Sequence, residues 1–161
     1  MMEVKIRERK EIHMFVKWIR ILYLILAWLF PIAILVQVLF VGLSLFTSQS
    51  YWDAHFSLGH MIVVLPILLV ILAYPGRLPR RTIILTWLAL GTYLVQAEVF
   101  AAIRADAPLF AAFHPVLALV LFALALIIAL QARTVVRAGG QTPSASLKPP
   151  SMEKQGSLSH D

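Results

Sequence analysis

The sequence predicts an all-α fold: an integral membrane up-down four-helix bundle made of two tandemly repeated helical hairpins. Of the 161 residues, 60% are hydrophobic and only 14% are charged, and a water-exposed surface needs far more charge than that. Four apolar stretches each reach the length of about 20 helical residues that crosses a bilayer. The second half of the chain also repeats the scarce polar residues of the first half in the same order. Such self-similarity is the signature of a repeated structural unit.

The predicted membrane domain spans residues 16–136, and its four helices cover about residues 18–46, 52–74, 82–103 and 107–135. The first stretch is too long for the apolar region of a signal peptide, and no small-residue cleavage site and polar domain follow it, so it is predicted to be a retained helix. Residues 1–15 are predicted to form a charged cytoplasmic segment, which could extend the first helix as an amphipathic stub. Residues 137–161 are rich in Ser, Pro and Gly and are predicted to be a disordered cytoplasmic tail.

The distribution of basic residues predicts the orientation. The N-terminal stretch, the connector PGRLPRR and the segment ARTVVR are basic, whereas the connectors TSQSYWD and IRADAP carry one Arg and two Asp between them. Because positively charged loops stay on the cytoplasmic side, both termini are predicted to be cytoplasmic in a multi-pass protein of the plasma membrane. The net charge of +6 follows from this topology and from attraction to anionic lipid, so no nucleic-acid partner is expected. The absence of cysteine from the sequence excludes disulfides, thiolate metal ligands and cysteine nucleophiles.

The internal repeat is defined by residues that are rare in membrane helices. A shift of 59 residues aligns Trp28 with Trp87, Gln37 with Gln96, and His55 with His114. Two hairpins that start on the same side are related by a pseudo-twofold axis along the membrane normal, so equivalent residues lie at equal depth. Short connectors favour antiparallel neighbours, which places the second and fourth helices on a diagonal.

The repeat brings one Gln and one His from each hairpin to the same layer, where a cofactor site is predicted. Two imidazoles that face each other across a bundle are a natural axial pair for haem iron. The small residues one turn after each His would leave room for the macrocycle. The glutamines could orient the imidazoles or contact the haem edge. An arginine at the outer rim could pair with the propionates. The predicted haem b site comprises the metal ligands His55 and His114 together with Gln37, Gln96, Gly59, Ala118 and Arg104.

Pro115 leaves two interpretations of the fourth helix open. If the helix starts there, Pro115 occupies a favoured first-turn position, His114 is an N-cap at the interface, and APLFAAF is a separate surface segment. His55 and His114 would then not point inward at one depth. If the helix starts near Pro108, Pro115 instead frees the carbonyl of Ala111 and bends the helix around His114.

The order of Gln, a small residue, a short outer loop and then His resembles the helix-pair motif of heme A synthase. That membrane protein has two four-helix halves that each bind haem through paired histidines, and the resemblance covers one half, about residues 18–135. It implies that His55 and His114 are axial ligands. The Gln-x4-small element (Gln37 with Gly42, Gln96 with Ala101) and the His-Pro of FHPVLAL are also similar to a bacterial family of short four-helix membrane proteins without an assigned activity.

The chain also departs from heme A synthase. A single half offers no second haem, and the acidic residue and arginine that flank the synthase's catalytic-side histidine have no counterparts. Asp53 lies two residues before His55, and this spacing puts it on another helix face. The synthase reaction is therefore not implied.

Three classes of function remain compatible with the sequence. The first is a small cytochrome-like electron carrier that works with a membrane redox partner or within a larger complex. The second is a noncatalytic structural or accessory subunit whose Gln/His layer only ties the helices together. The third is an enzyme or transporter that uses Glu98 and the histidines to handle protons. Glu98 is the one carboxylate predicted inside the membrane, and it could instead pair with Arg104 or His60. His60 is predicted to be a bundle or lipid-interface residue. No hydrolytic motif is present in the sequence, no catalytic residue is predicted, and a homodimer with a site between protomers fits the same patterns.

Overall fold

The computed structural model describes residues 1–103 and 105–140. Four helices are long and apolar enough to cross a membrane by length and composition. They are α1 (Met2–Phe46), α2 (Tyr51–Ala73), α3 (Arg80–Val99, continued by Phe100–Ile103) and α4 (Pro108–Ala111 and His114–Gly140). The described part of the chain contains helices and no strands, so the prediction of an all-α four-helix membrane fold is confirmed. Arg104 and residues 141–161, most of the predicted tail, lie outside the described residues.

The four helices form an up-down bundle in which sequence neighbours are spatial neighbours. α1 packs along α2 and α4, and α3 packs along the same two helices. The two diagonals of the bundle are therefore α1 with α3 and α2 with α4, as the short connectors favour. The tandem-repeat origin of the two hairpins stays a prediction.

The core combines large apolar side chains with small residues. Tyr23, Phe30, Leu69 and Leu121 are almost fully buried, and buried alanines lie between them along α1, α2 and α4. Small residues let membrane helices approach closely, and close packing is a main source of helix association in lipid. Most of the outward-facing Leu, Ile and Val side chains are exposed, which is the surface that a bilayer would contact.

α1 is longer than its apolar stretch, because the charged N-terminal residues extend it, as the sequence allows. Its 45 residues, at about 1.5 Å each, give a helix of roughly 68 Å, about twice the thickness of a bilayer's hydrocarbon core. The charged residues 1–15 continue the helix because they contain no Pro or Gly. An Arg7–Glu11 contact of 3.3 Å supports this part of the helix. The boundary near residue 18 marks a change in composition, and the helix itself begins at Met2.

Three interruptions divide the helices. α2 is broken at Val63, three residues before Pro66, and α4 is broken at residues 112–113, just before Pro115. Proline lacks the N–H that a helix needs and crowds the preceding turn, which accounts for both breaks. α3 widens into a π turn at Val95–Val99. This π turn contains no proline, and π turns inside α-helices occur frequently at functional sites.

Candidate cofactor site between the four helices

A cavity of about 630 Å³ lies between the four helices, towards the end of the bundle where the α1–α2 and α3–α4 connectors lie. This volume is within the range of about 300–1,000 Å³ that is typical of ligand pockets. Its walls are mainly apolar and aromatic, and they include Trp52, Phe56 and Phe122. Six of the seven predicted site residues line it: Gln37, His55, Gly59, Gln96, His114 and Ala118. The seventh, Arg104, lies outside the described residues.

The two histidines face one another across the α2–α4 diagonal. Their ring centroids are 6.2 Å apart, and the ring planes are inclined by 67°. The Nδ1 atom of His55 lies 3.2 Å from the backbone carbonyl oxygen of Gln37. The Nδ1 atom of His114 lies 3.3 Å from the carbonyl oxygen of Gln96. Because a carbonyl oxygen only accepts, each Nδ1 must donate, and the lone pair of a neutral imidazole is then on Nε2.

This ring spacing suits one metal ion between two imidazoles. A bond from a metal to an imidazole nitrogen is about 2.0–2.1 Å, and the nitrogen lies roughly 1 Å from its ring centre, so two rings on opposite sides of one ion have centroids roughly 6 Å apart. The observed distance is 6.2 Å. No group of three or more potential His, Cys, Asp or Glu ligands occurs in the described part of the chain. A donor set of two imidazoles fits haem iron, whose porphyrin supplies the other four ligands.

The backbones of the two glutamines, and not their side chains, contact the imidazoles, while the alternative role of the glutamines at a haem edge stays a prediction. The hydrogen bonds to the histidines come from the glutamine backbone carbonyls. The side-chain oxygens Oε1 of Gln37 and Gln96 are both buried and have no hydrogen-bond partner. Buried polar atoms are almost always paired. These two oxygens are therefore available to accept hydrogen bonds from a donor group of a ligand or from water.

Gly59 provides the close approach between α2 and α1. A Cβ atom at this position would lie only 3.1 Å from Nε2 of Gln37. The carbonyl of Gly59 accepts a hydrogen bond from the hydroxyl of Tyr93 on α3. Ala118 occupies the corresponding position on α4 and also lines the cavity, so both histidines are followed by a small residue that keeps the space open.

Two aromatic residues contribute to the site although the sequence analysis assigned them no role. Trp52 packs edge-to-face on His55, with ring centroids 5.6 Å apart, and Tyr93 lines the cavity next to Gln96. Each precedes its polar neighbour by three residues, and residues at that spacing share a helix face. That spacing is the signal that could have identified them.

The structure of α4 combines the two interpretations of Pro115. A short turn at Pro108–Ala111 precedes the break, and His114 is the first residue of the long segment. The expected separation of the histidines does not occur, because their rings lie 6.2 Å apart. Phe113, in the break, is bonded on both sides: its N–H donates to the carbonyl of Phe110, and its carbonyl accepts from the N–H of Leu117, both at 3.0 Å between N and O. Phe113 thereby connects the short turn to the long segment.

His60 and Glu98 differ from the paired residues. His60 lines the cavity, but its Nδ1 lies 2.7 Å from the carbonyl oxygen of Phe56 within the same helix. Glu98 is exposed in the π turn, and no hydrogen bond or ion pair joins it to His60. Neither residue therefore takes part in the two bonds between a histidine ring and a glutamine carbonyl.

Comparison with known proteins yields one match. A family of unknown function (DUF6220) matches residues 37–102, a segment that begins at Gln37 and includes His55 and Gln96. It covers less than half of the chain and stops before His114. No curated protein and no solved structure matches the chain. None of these comparisons supports the resemblance to heme A synthase.

Proposed function

We propose that this protein is a haem-b-binding, cytochrome-like electron carrier of the membrane, with His55 and His114 as the axial ligands. The observation that carries the proposal is the pair of rings 6.2 Å apart, each with its Nδ1 bonded to a backbone carbonyl. That arrangement leaves both Nε2 atoms free to bind one ion. Metal-binding histidines typically donate their other N–H in this way.

The residues around the cavity would hold and orient the group. The Gln37 and Gln96 carbonyls fix the imidazole orientation and increase the basicity of Nε2. The apolar walls would favour the flat, apolar face of a porphyrin. The side-chain amides of the glutamines would contact its polar edge. Haem with two axial imidazoles supplies one-electron transfer.

The proposal implies partners and an orientation. An electron carrier needs a donor and an acceptor, so we propose a membrane redox partner or a larger complex, and a homodimer is compatible with the same site. We also propose that the protein lies in the plasma membrane with both termini in the cytoplasm. The N-terminal stretch, the α2–α3 connector and the segment ARTVVR are the basic parts of the chain, and basic segments stay on the cytoplasmic side. We further propose that Arg104, which lies outside the described residues, pairs with the propionates.

A second function is favoured by the same hydrogen bonds. The ring of His55 joins α2 to α1, and the ring of His114 joins α4 to α3. Polar contacts of this kind tie membrane helices together. The alternative is therefore a noncatalytic structural or accessory subunit in which the layer has no cofactor.

A visible absorption spectrum tests the proposal. We expect the full-length protein, purified in mild detergent from haem-replete cells, to give a reduced-minus-oxidised spectrum of low-spin haem b. His55→Ala and His114→Ala should each abolish it. His60→Ala is the matched control, because His60 lines the same cavity but bonds within its own helix. It should keep the spectrum.

Two results would reject the haem proposal. The first is a colourless wild-type protein that retains its helical circular dichroism and gives no such spectrum when haem is added. The second is an equal loss of the spectrum in His60→Ala, which would indicate nonspecific binding. In the first case, lower thermal midpoints of His55→Ala and His114→Ala would favour the structural role.

A further inference from the structure

A second pocket, of about 170 Å³, lies at the opposite end of the bundle, near the α2–α3 connector. We call it the basic pocket. It is formed by α1, the α2–α3 connector and the last part of α4, and it is lined by Ile12, His13, Val16, Lys17, Arg20, Arg77 and Val136. Three of these residues are cations and a fourth is a histidine, and none of the lining residues is acidic. The pocket therefore concentrates positive charge next to a small apolar wall.

Arg20 is held in place without a carboxylate partner. Its Nε donates to the carbonyl of Gly76 at 2.8 Å, and its Nη2 donates to the carbonyl of Arg77 at 3.4 Å. The ion pair in the described part of the chain is Arg7 with Glu11, so Arg20 keeps its charge unneutralised. Its Nη1 has no hydrogen bond to the described protein. A half-buried guanidinium that is fixed in this way can bind an anion through its remaining N–H groups.

Arg77 has a backbone conformation that a glycine would adopt more readily. Its φ is 50°, and it ends α2 in a turn in which the Leu78 N–H bonds to the Ala73 carbonyl at 3.1 Å. Helices that end in this way usually have glycine in the left-handed position. Here the preceding residue is the glycine, and it does not have a positive φ. Strained residues of this kind cluster at binding sites.

We propose that the basic pocket binds the phosphate group of an anionic ligand. Lys17, Arg20 and Arg77 supply the charge, and arginine forks match phosphate oxygens. Basic pockets between helices at the membrane surface bind anionic lipid headgroups, and Ile12, Val16 and Val136 would contact the less polar part of such a lipid. Free phosphate presents the same group without that part.

Native mass spectrometry of the full-length protein in detergent tests the proposal. We would titrate phosphatidylglycerol and phosphatidylcholine with the same acyl chains separately, and then repeat the phosphatidylglycerol titration with inorganic phosphate as a competitor. Phosphatidylglycerol should bind more tightly than phosphatidylcholine. Lys17→Gln and Arg77→Gly should each weaken its binding roughly fivefold, the contribution expected of one cation near an anionic headgroup. Arg133→Gln is the matched control, since it removes a charge from α4 outside the lining.

Arg77→Gly separates binding from folding. It should raise the thermal midpoint, because glycine adopts a positive φ without strain, while it weakens binding. If inorganic phosphate competes with phosphatidylglycerol at a similar concentration, the pocket binds phosphate itself. If it does not compete, the ligand is the lipid. Equal binding of both lipids, unchanged binding by Arg77→Gly, or an equal loss in Arg133→Gln would overturn the proposal.

Discussion

Each histidine in the cavity is oriented by a backbone carbonyl. His55 and His114 bond to the carbonyls of the glutamines 18 residues earlier, so the imidazole orientation depends on the position of the neighbouring helix backbone. The glutamine side chains are then free of that role, and their Oε1 atoms stay unpaired. At this scale the choice of residue types was predictable, since two Gln and two His recur at one shift. The atoms that form the bonds were not, because a residue pattern does not specify the rotation of a helix.

A comparison of two glycines tests the packing around Gln37. In Gly42→Ala nothing lies within 4 Å of the new Cβ, so the substitution should raise the free energy of unfolding by about 0.5–1 kcal/mol through helix propensity. In Gly59→Ala the Cβ would lie 3.1 Å from Nε2 of Gln37, and the amide must move. Gly59→Ala should therefore gain less stability, or lose some.

Unfolding of both variants in the same detergent, followed by circular dichroism, measures the difference. Equal gains in the two variants would contradict the close contact between Gly59 and Gln37.

Three helices of the bundle are connected by a network of polar side chains that do not line the cavity. Thr86 Oγ1 donates to the carbonyl of Thr82 at 2.8 Å, so the hydroxyl of Tyr23, 2.7 Å away, must donate to Thr86. Thr82 in turn donates to Oε1 of Gln131 at 2.8 Å. Together these bonds join α1, α3 and α4. These bonds cannot be read from the sequence, because Thr and Tyr are common in membrane helices and their partners lie on other helices.

Substitutions in this network should have unequal effects. Tyr23→Phe removes one hydrogen bond and leaves Thr86 bonded to Thr82, so it should cost about 0.6–1.5 kcal/mol of unfolding free energy. Thr86→Val leaves the buried Tyr23 hydroxyl without an acceptor and should cost about 1–3 kcal/mol.

Thr134→Val is the matched control, since Thr134 is exposed and bonds only within α4. Chemical denaturation in detergent gives the three values. A smaller loss for Thr86→Val than for Tyr23→Phe would show that the tyrosine hydroxyl has another acceptor.

The whole molecule has two chemically different ends. The histidine cavity lies at the end with the α1–α2 and α3–α4 connectors, and the basic pocket lies at the end with the α2–α3 connector. Because basic connectors remain in the cytoplasm, the proposed redox site would lie towards the outside and the proposed phosphate site towards the inside. A redox partner would then approach from the outer half of the membrane.

Cysteine labelling tests this orientation. Because the sequence has no native cysteine, only the introduced cysteine can react. Gln49→Cys and Asp106→Cys are in the connectors near the cavity and should react with a membrane-impermeant maleimide in right-side-out vesicles. Pro75→Cys, in the basic connector, should react only after the vesicles are permeabilised. All three positions are exposed, so a difference in labelling reports the side of the membrane on which each position lies. The reverse labelling pattern would invert the proposed topology.

The sequence by itself determined the membrane class, the four apolar helices and the recurring Gln and His residues, because hydropathy and rare polar residues are properties of local chain segments. Only the tertiary structure decided that the histidine rings lie 6.2 Å apart and that backbone carbonyls orient them. It also decided that the Arg20 side chain bonds to the backbone carbonyls of Gly76 and Arg77 in the α2–α3 connector. These features depend on how each helix is rotated, offset and broken relative to its neighbours. That geometry arises only when all four helices pack together, so no single segment specifies it.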